Sequence, residues 1–578
     1  LLSFRWADFG LNPEDAAAVN GVKFSGPLPG DKVFFDRIDL IFADAATADS
    51  YRAVAAQRLN SLQKVLIDAL AARGVDWKKA LAPLSAEEAE PLIWVGVQLS
   101  AQREQIDYFR KLSAAASEPA PELPGLLARR DALAAEGARG EFEGLKSKTA
   151  ALQNDLDPVI DRLLARIPPE KRRFRYDEAD RQFHYPDGSL FRMFGPHFFR
   201  SMFRPGYSEW RPWDIRYLSG LGFNGIRIQV RWSLLEAERG VFEPGYLGII
   251  TGILKEAERY GFGASIDLHW SYPAWFNAGK PGFPPARTAS FHNCYQWPEA
   301  LVDTWTRLGS VFADHPNIVA FEVPTNETNI GSGKGGLADW PNLVKLWNEF
   351  LKEEYGTREN LDAVWRAAGD KYGLAPEEDW DRGTIRPLGY QNDVTLDEAY
   401  RSNPRLYDHL RFTARMQTML SGDIVKALRK SIPDAQGMFQ RTIGDIWDKS
   451  PVPLNYHGII TCIGENVLPG THYDMGSITA RKAATLSLGS YDSEQQMEGN
   501  RNAVERHVAL GLGFCPFAFH FRGGGGMLLA DDDWHLKPEV GYLPLMAAFV
   551  RESEPKPATG TRVAVITNSR LEDRKSVV

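Results

Sequence analysis

Alternating apolar and polar positions open the chain. "LLSFRWADF" and "KVFFDRIDLIFA", parted by "SGPLPGDK", predict short strands and a turn over residues 1–43. From 44 to 170 the apolar positions recur at helical spacing, as in "YRAVAAQRLNSLQKVLIDALAARG" and "LLARRDALAAEGARGEFEGLKSKTAALQ". The prolines of "ASEPAPELPG" interrupt that run, so a helical hairpin or small coiled-coil insertion is expected, its Leu stripes serving as packing seams.

Beyond the charged segment "PPEKRRFRYDEADRQF", strand-like and helix-like stretches alternate up to about residue 550. The expected strands are 189–195, 224–232, 261–270, 317–324, 437–442, 458–463, 486–494 and 513–521. Eight strands with helical text between them predict an α/β fold, a (β/α)8 TIM barrel over 171–550, preceded by a partial β-sandwich with a helical insertion. An open doubly wound sheet would place a Gly-rich phosphate turn after an early strand, and the chain has none there. "RGGGGM" at 522–527 lacks the Lys-Ser/Thr of a phosphate loop and reads as a loop over a pocket. Residues 551–578, with "GTRVAVITNSR", supply one more strand, of an accessory sheet or of a truncated domain.

Composition narrows the function. The chain has 578 residues, 44% of them hydrophobic and 25% charged, as in a soluble globular protein. A net charge of −8 without a basic block argues against nucleic acid as a partner, and no apolar stretch approaches membrane-spanning length. Sixteen Trp suit both sugar faces and cores. Cys294, Cys462 and Cys515 form neither a disulfide framework nor a metal pattern. The chain opens on Leu1, so any export signal would precede it; a secreted or periplasmic location is favoured over a cytoplasmic one, which stays open.

In such a barrel the active site lies at the C-terminal ends of the strands, so the last residues of each run carry the information. They are Arg231 and Trp232, His269 and Trp270, Asn326 and Glu327, Gln440 and Arg441, Glu494 with Gln495 and Gln496, and His520 with Arg522. Two carboxyl groups among amide and aromatic side chains, on opposite sides of one ring, suit glycoside hydrolysis with retention. That reaction needs an acid/base and a nucleophile about 5 Å apart. Glu327 would be the acid, its proton retained by partial desolvation and by the second carboxylate. Asn326 would hydrogen-bond the sugar 2-hydroxyl. An Asn-Glu pair also occurs inside helices for no catalytic reason, as in "WNEF" at 347–350; the second carboxylate at strand seven distinguishes this one.

Several segments resemble clan A retaining glycosidases, and most closely the β-galactosidase group of glycoside hydrolase family 42. They are "RWSLLEAERGVFEPGYLGII" after strand two, "YPAWF" after strand three, the crossover "LWNEFLKEEYGTRENLDAVW", and "SEQQMEGNR". The resemblance covers roughly residues 190 to 525. It implies Glu327 as acid/base, Asn326 as its 2-hydroxyl partner and Glu494 as nucleophile. It further implies Tyr473, in "THYD", as a hydrogen-bond partner of the nucleophile, with Arg227 holding that nucleophile ionised. His269, Trp270, Trp275, His472, Arg441, His520 and Arg522 complete the candidate sugar subsite. For Trp275 a packing role is the rival, and Glu322 should point into the barrel as an interior hydrogen-bond partner.

No cofactor and no metal are expected: His269, His292, His472, His520 and His535 lack ligand spacing, and His197 stands alone on its strand. The function expected is therefore a retaining β-glycosidase acting on a β-galactoside or related β-glycoside. The alternatives are a glycanase on an acidic or sulfated polysaccharide, which the arginines would favour, and a non-catalytic carbohydrate-binding barrel. The family's trimer-forming domain has no counterpart past one strand, which leaves a homo-oligomer open.

Overall fold

The computed structural model describes residues 63–64, 66–177, 182–195, 197–198, 212–269, 273–277, 298–323, 341–386, 403–442, 460–467, 483–488 and 513–516. The expected sheet segments at 1–43 and 551–578 lie outside them.

After short helical stretches that end at Leu81 come three long helices: α1 (Ala86–Ala116), α2 (Leu123–Ala138) and α3 (Leu145–Arg166). A capping box starts α1, with Ser85 Oγ accepting from the Glu88 amide at 3.3 Å and the Glu88 carboxylate from the Ser85 amide at 2.8 Å. The chain leaves α1 at Ser117, at φ 58°, and the proline segment follows. Gly140 and Gly144, both at positive φ, then make the turn that splits the second helical stretch in two. The result is three mutually packed helices rather than a hairpin. Ile106 and Phe109 of α1, Leu123 of α2 and Leu156, Ile160 and Leu163 of α3 form a buried core of their own.

Next comes a small antiparallel sheet of β1 (Arg175–Asp177), β2 (Gln182–His184) and β3 (Leu190–Phe191). The run 189–195, expected to open the barrel, supplies β3 instead. The reason is the turn "YPDGS": Asp187 accepts from the Ser189 amide, Tyr185 N donates to Ser189 O, and β3 folds back on β2.

Among the described residues the main sheet has eight strands: β4 (His197–Phe198), β5 (Gly225–Arg231), β6 (Gly263–His269), β7 (Ile318–Glu322), β8 (Gly437–Thr442), β9 (Ile460–Val467), β10 (Ala483–Leu488) and β11 (Gly513–Pro516). Every pairing is parallel and the strands lie side by side in chain order. The eighth strand comes back into contact with the second, β5, so the sheet curls strongly. Strand seven starts earlier than the expected 486–494, and strand six extends later than 458–463.

Helices connect the strands. The helices α4 (Pro212–Gly220), α5 (Pro244–Arg259) and α6 (Pro298–Phe312) directly precede β5, β6 and β7. A crossover of α7 (Pro341–Tyr355), α8 (Arg358–Arg366) and α9 (Pro404–Leu428) precedes β8. Asp408, 1% exposed, ties that crossover by accepting from Tyr355 Oη at 2.6 Å and Trp365 Nε1 at 2.8 Å.

Alternation along β5 and β6 explains the layers. Ile226, Ile228 and Val230, like Ala264, Ile266 and Leu268, belong to the main apolar core. Phe321 of β7 sets its ring against Trp305 and Phe312 of α6. The residues between them, Arg227, Gln229, Ser265, Asp267 and Glu322, are polar and equally buried. At the N-terminal ends Phe174, Phe183, Phe191 and Met193 pack on Val319 and Ala320 as an aromatic floor. A Cβ on Gly225 would lie 2.3 Å from Met193 Cγ, and one on Gly263 would lie 2.4 Å from Phe191 Cζ. These strands begin with glycine because the floor occupies that space.

The three-helix unit docks on the sheet unit. A Cβ on Gly220 of α4 would come within 2.3 Å of Val97 O of α1, so the two backbones nearly touch. Buried glutamines form a chain across the junction, from Gln102 through Gln153 to Gln105, whose amide donates to Arg259 O at 3.1 Å. Arg259 pairs with Asp157 and Asp161, and Arg172 with Glu258.

Candidate active site at the ends of the parallel strands

The polar residues inside the sheet converge toward the C-terminal ends of β5, β6 and β7. In register, Gln229, Asp267 and Glu322 form one row across the three strands, with Arg227 one row below. Arg227 is long enough to reach up from its row. Its Nε donates to Glu322 Oε2 and its Nη2 to Glu322 Oε1, both at 2.9 Å, a two-pronged pair. Nη2 also meets Asp267 Oδ2 at 3.1 Å. Arg227 is 2% exposed and the two carboxylates 0%. Three ionisable groups held away from water interact strongly, since little solvent screens them.

One row higher, Arg231 and His269 end their strands side by side. The Arg231 amide donates to Tyr246 Oη at 2.9 Å, and burial pushes that phenol upward, so it stays neutral at any working pH.

Past β5 the chain turns at Glu236, a fully buried carboxylate. It accepts from Trp232 Nε1 at 2.9 Å, Thr304 Oγ1 at 2.7 Å and the Gly240 amide at 2.7 Å, and it also pairs with Arg307. Its carbonyl accepts from Trp275 Nε1 at 2.7 Å. Trp275 stands edge-on to Trp232 with centroids 5.7 Å apart, and exposed Arg239 lies 5.6 Å over its ring. Glu236 therefore fixes the loops after β5 and β6 to α6.

The sequence candidates fall into three groups. Arg227 sits in the buried cluster, and Glu322 points inward beside it, as its spacing suggested. His269 ends β6, Trp275 packs in the Glu236 network while remaining partly exposed, and Arg441 lies on β8 in register with Glu465 of β9. Asn326, Glu327, Trp270, His472, Tyr473, Glu494, His520 and Arg522 lie outside the described residues. Glu322 ends its strand five residues before Glu327, and β10 ends at Leu488, six residues before Glu494. Asn348 and Glu349 of "WNEF" lie within α7, where the Asn348 side chain donates to Val344 O and Ile385 O.

Sequence reasoning missed Glu236 and its partners. The segment "LLEAERG" shows a carboxylate before a turn, but Thr304 and Arg307 stand about seventy residues away and nothing local announces them. Among the described residues no cluster of three His, Cys, Asp or Glu side chains could hold a metal. No described helix is long and apolar enough to cross a membrane.

A cleft lies at the opposite end of the strands, lined by Tyr108, Lys111, Tyr185, Asp187 and Tyr260. Its volume of about 60 Å³ holds a few waters and falls far short of a sugar pocket.

No family model and no curated protein matches the sequence. Among solved structures, the chain is similar to the β-galactosidase of the haloarchaeon Halorubrum lacusprofundi, at 14% identity and a TM-score of 0.48, over 62% of this chain and 58% of that one. The β-galactosidase of Rahnella sp. R3 gives 14% identity and a TM-score of 0.48, over 62% and 56%. The catalytic domain of the β-amylase from Paenibacillus polymyxa gives 11% and 0.46, over 63% and 99%. The chain thus spans less than two thirds of the length of these two β-galactosidases.

Proposed function

We propose that the chain is a retaining β-glycosidase built on a closed (β/α)8 barrel, and that it cleaves a β-galactoside or related β-glycoside through a covalent glycosyl-enzyme. The observation that carries this reading is the buried Arg227–Glu322–Asp267 cluster inside eight parallel strands laid in chain order. Charged side chains in such an interior cost several kcal/mol each to desolvate, a cost that function can justify. The cluster stands at the C-terminal end of the strand that leads to Asn326 and Glu327. The chain then divides into a sandwich-like segment (1–43), a helical insertion (44–170), the barrel (171–550) and an accessory strand (551–578).

In this reading Glu494 attacks the anomeric carbon while Glu327 protonates the leaving oxygen. Glu327 then deprotonates the water that releases the sugar. Asn326 binds the 2-hydroxyl, Tyr473 and Arg227 stabilise the ionised nucleophile, and His269, Trp270, Trp275, His472, Arg441, His520 and Arg522 shape the subsite. No cofactor takes part. An acidic or sulfated glycan is the second reading, favoured by exposed Arg239 over the Trp275 ring: together an aromatic face and a guanidinium suit an anionic sugar.

A panel of nitrophenyl glycosides and polysaccharides tests activity and sugar class together. Glu494→Ala should lower kcat at least about a hundredfold, with azide restoring an α-glycosyl azide. Glu327→Ala should spare substrates with good leaving groups and yield a β-glycosyl azide. Full activity in both variants would end this reading.

A further inference from the structure

Arg227 has a role in this reaction only if its guanidinium is aimed, and arginine side chains have many rotamers to lose. Two carboxylates do the aiming. Glu322 grips Nε and Nη2 at 2.9 Å each, which fixes the plane of the guanidinium, and Asp267 meets Nη2 at 3.1 Å from the neighbouring strand. Asp267 and Glu322 are register partners on β6 and β7, so their spacing is set by the sheet itself. Both are fully buried and belong to no loop. Arg259 also meets two carboxylates, but at the surface of the junction; here all three groups are buried, at the row just beneath the strand ends.

We propose that Glu322 and Asp267 are positioning residues, a two-strand carboxylate cradle that fixes the Arg227 guanidinium in the one orientation its role in the proposed reaction requires. The inference rests on the glycosidase reading. Glu322 sets the orientation of the guanidinium plane and Asp267 sets its height. Neither touches substrate. Their effect reaches the reaction through Arg227, so it should be seen in kcat rather than in KM.

The test compares Glu322→Gln, Glu322→Asp and Asp267→Asn with the parent in the full chain, on the best aryl glycoside of the panel. Folding is read by circular dichroism and thermal melting. Glu322→Gln replaces one acceptor oxygen by a donor and breaks the two-pronged grip; kcat should fall at least tenfold while KM stays within about threefold. Its acid limb of kcat/KM should move to higher pH, because a loosened Arg227 no longer favours the ionised nucleophile. Glu322→Asp keeps the charge and should recover part of kcat. Asp267→Asn, which disturbs only the 3.1 Å contact, should give a smaller loss of the same kind, and it carries the test if Glu322→Gln does not fold. A lower melting temperature with unchanged kcat and an unmoved acid limb would make the cradle purely structural and overturn the proposal. The two levels separate cleanly. Activity that survives Glu327→Ala overturns the glycosidase reading, whereas activity lost in Glu327→Ala but kept in the cradle variants overturns only the cradle.

Discussion

Buried ionisable side chains in this protein divide by whether a partner charge accompanies them. Arg227 is matched by carboxylates and stays charged. His315, 4% exposed in the turn between α6 and β7, is instead driven toward its neutral form. Burial first, and then the positive charge of Lys255, bring its pKa from 6.5 down to about 4, against a small opposing pull from Asp314. The folded state therefore binds a proton less readily than the unfolded chain. Its contribution is complete above pH 6.5 and drains away as the pH falls toward 4, a total of about 3 kcal/mol. Urea unfolding of the parent and of His315→Asn between pH 7 and 4.5 isolates it, since other groups cancel in the difference. The parent should lose stability more steeply; parallel curves would show that His315 is not the source.

At the scale of elements, the glycines at the start of β5 and β6 are as much a part of the design as the apolar runs behind them. Gly263→Ala should cost about 1–3 kcal/mol, because Phe191 cannot swing aside from Phe174 and Tyr185, whose ring centroids stand 4.8 and 5.0 Å from its own. Gly125→Ala, on an exposed face of α2 with open space around it, should stabilise by up to about 1 kcal/mol. Denaturant midpoints of the two variants should move in opposite directions. Both β5 and β6 were legible in the sequence because β-branched and apolar residues alternate with polar ones and a glycine marks the start. The first strand of the main sheet was not. The apolar run at Leu190 and Phe191 outweighed the Pro-Asp-Gly turn before it, and β4 is only two residues long. Of the candidate site, the inward direction of Glu322 could be read from its place on a strand. The Glu236 network could not, since it joins a loop to a helix far along the chain and periodicity carries no such information.

The whole molecule behaves as one packed body across the described residues. The largest apolar core among the described residues runs from Leu66, Leu99 and Leu152 in the helical unit to Ile228, Leu268 and Trp305 around the sheet. The Gln102–Gln153–Gln105 chain and the ion pairs of Arg259 cross the same junction. The helical unit should therefore not unfold ahead of the sheet. Native-state hydrogen exchange should give the slowest amides of α1 and of β5 the same opening free energy and the same denaturant slope. Two distinct values would show a hinge where continuous packing is described.

The aromatic floor also governs traffic. Phe183, Phe191 and Met193 fill the N-terminal ends of β5, β6 and β7, so among the described residues that end of the three strands is closed. Under the proposed chemistry, leaving alcohol, incoming water and released sugar must all use one mouth. A departing aglycone then vacates the very space from which the glycosyl-enzyme is attacked. An alcohol that lingers there competes directly with water, and at high acceptor concentration the enzyme becomes a builder of glycosides as well as a breaker of them.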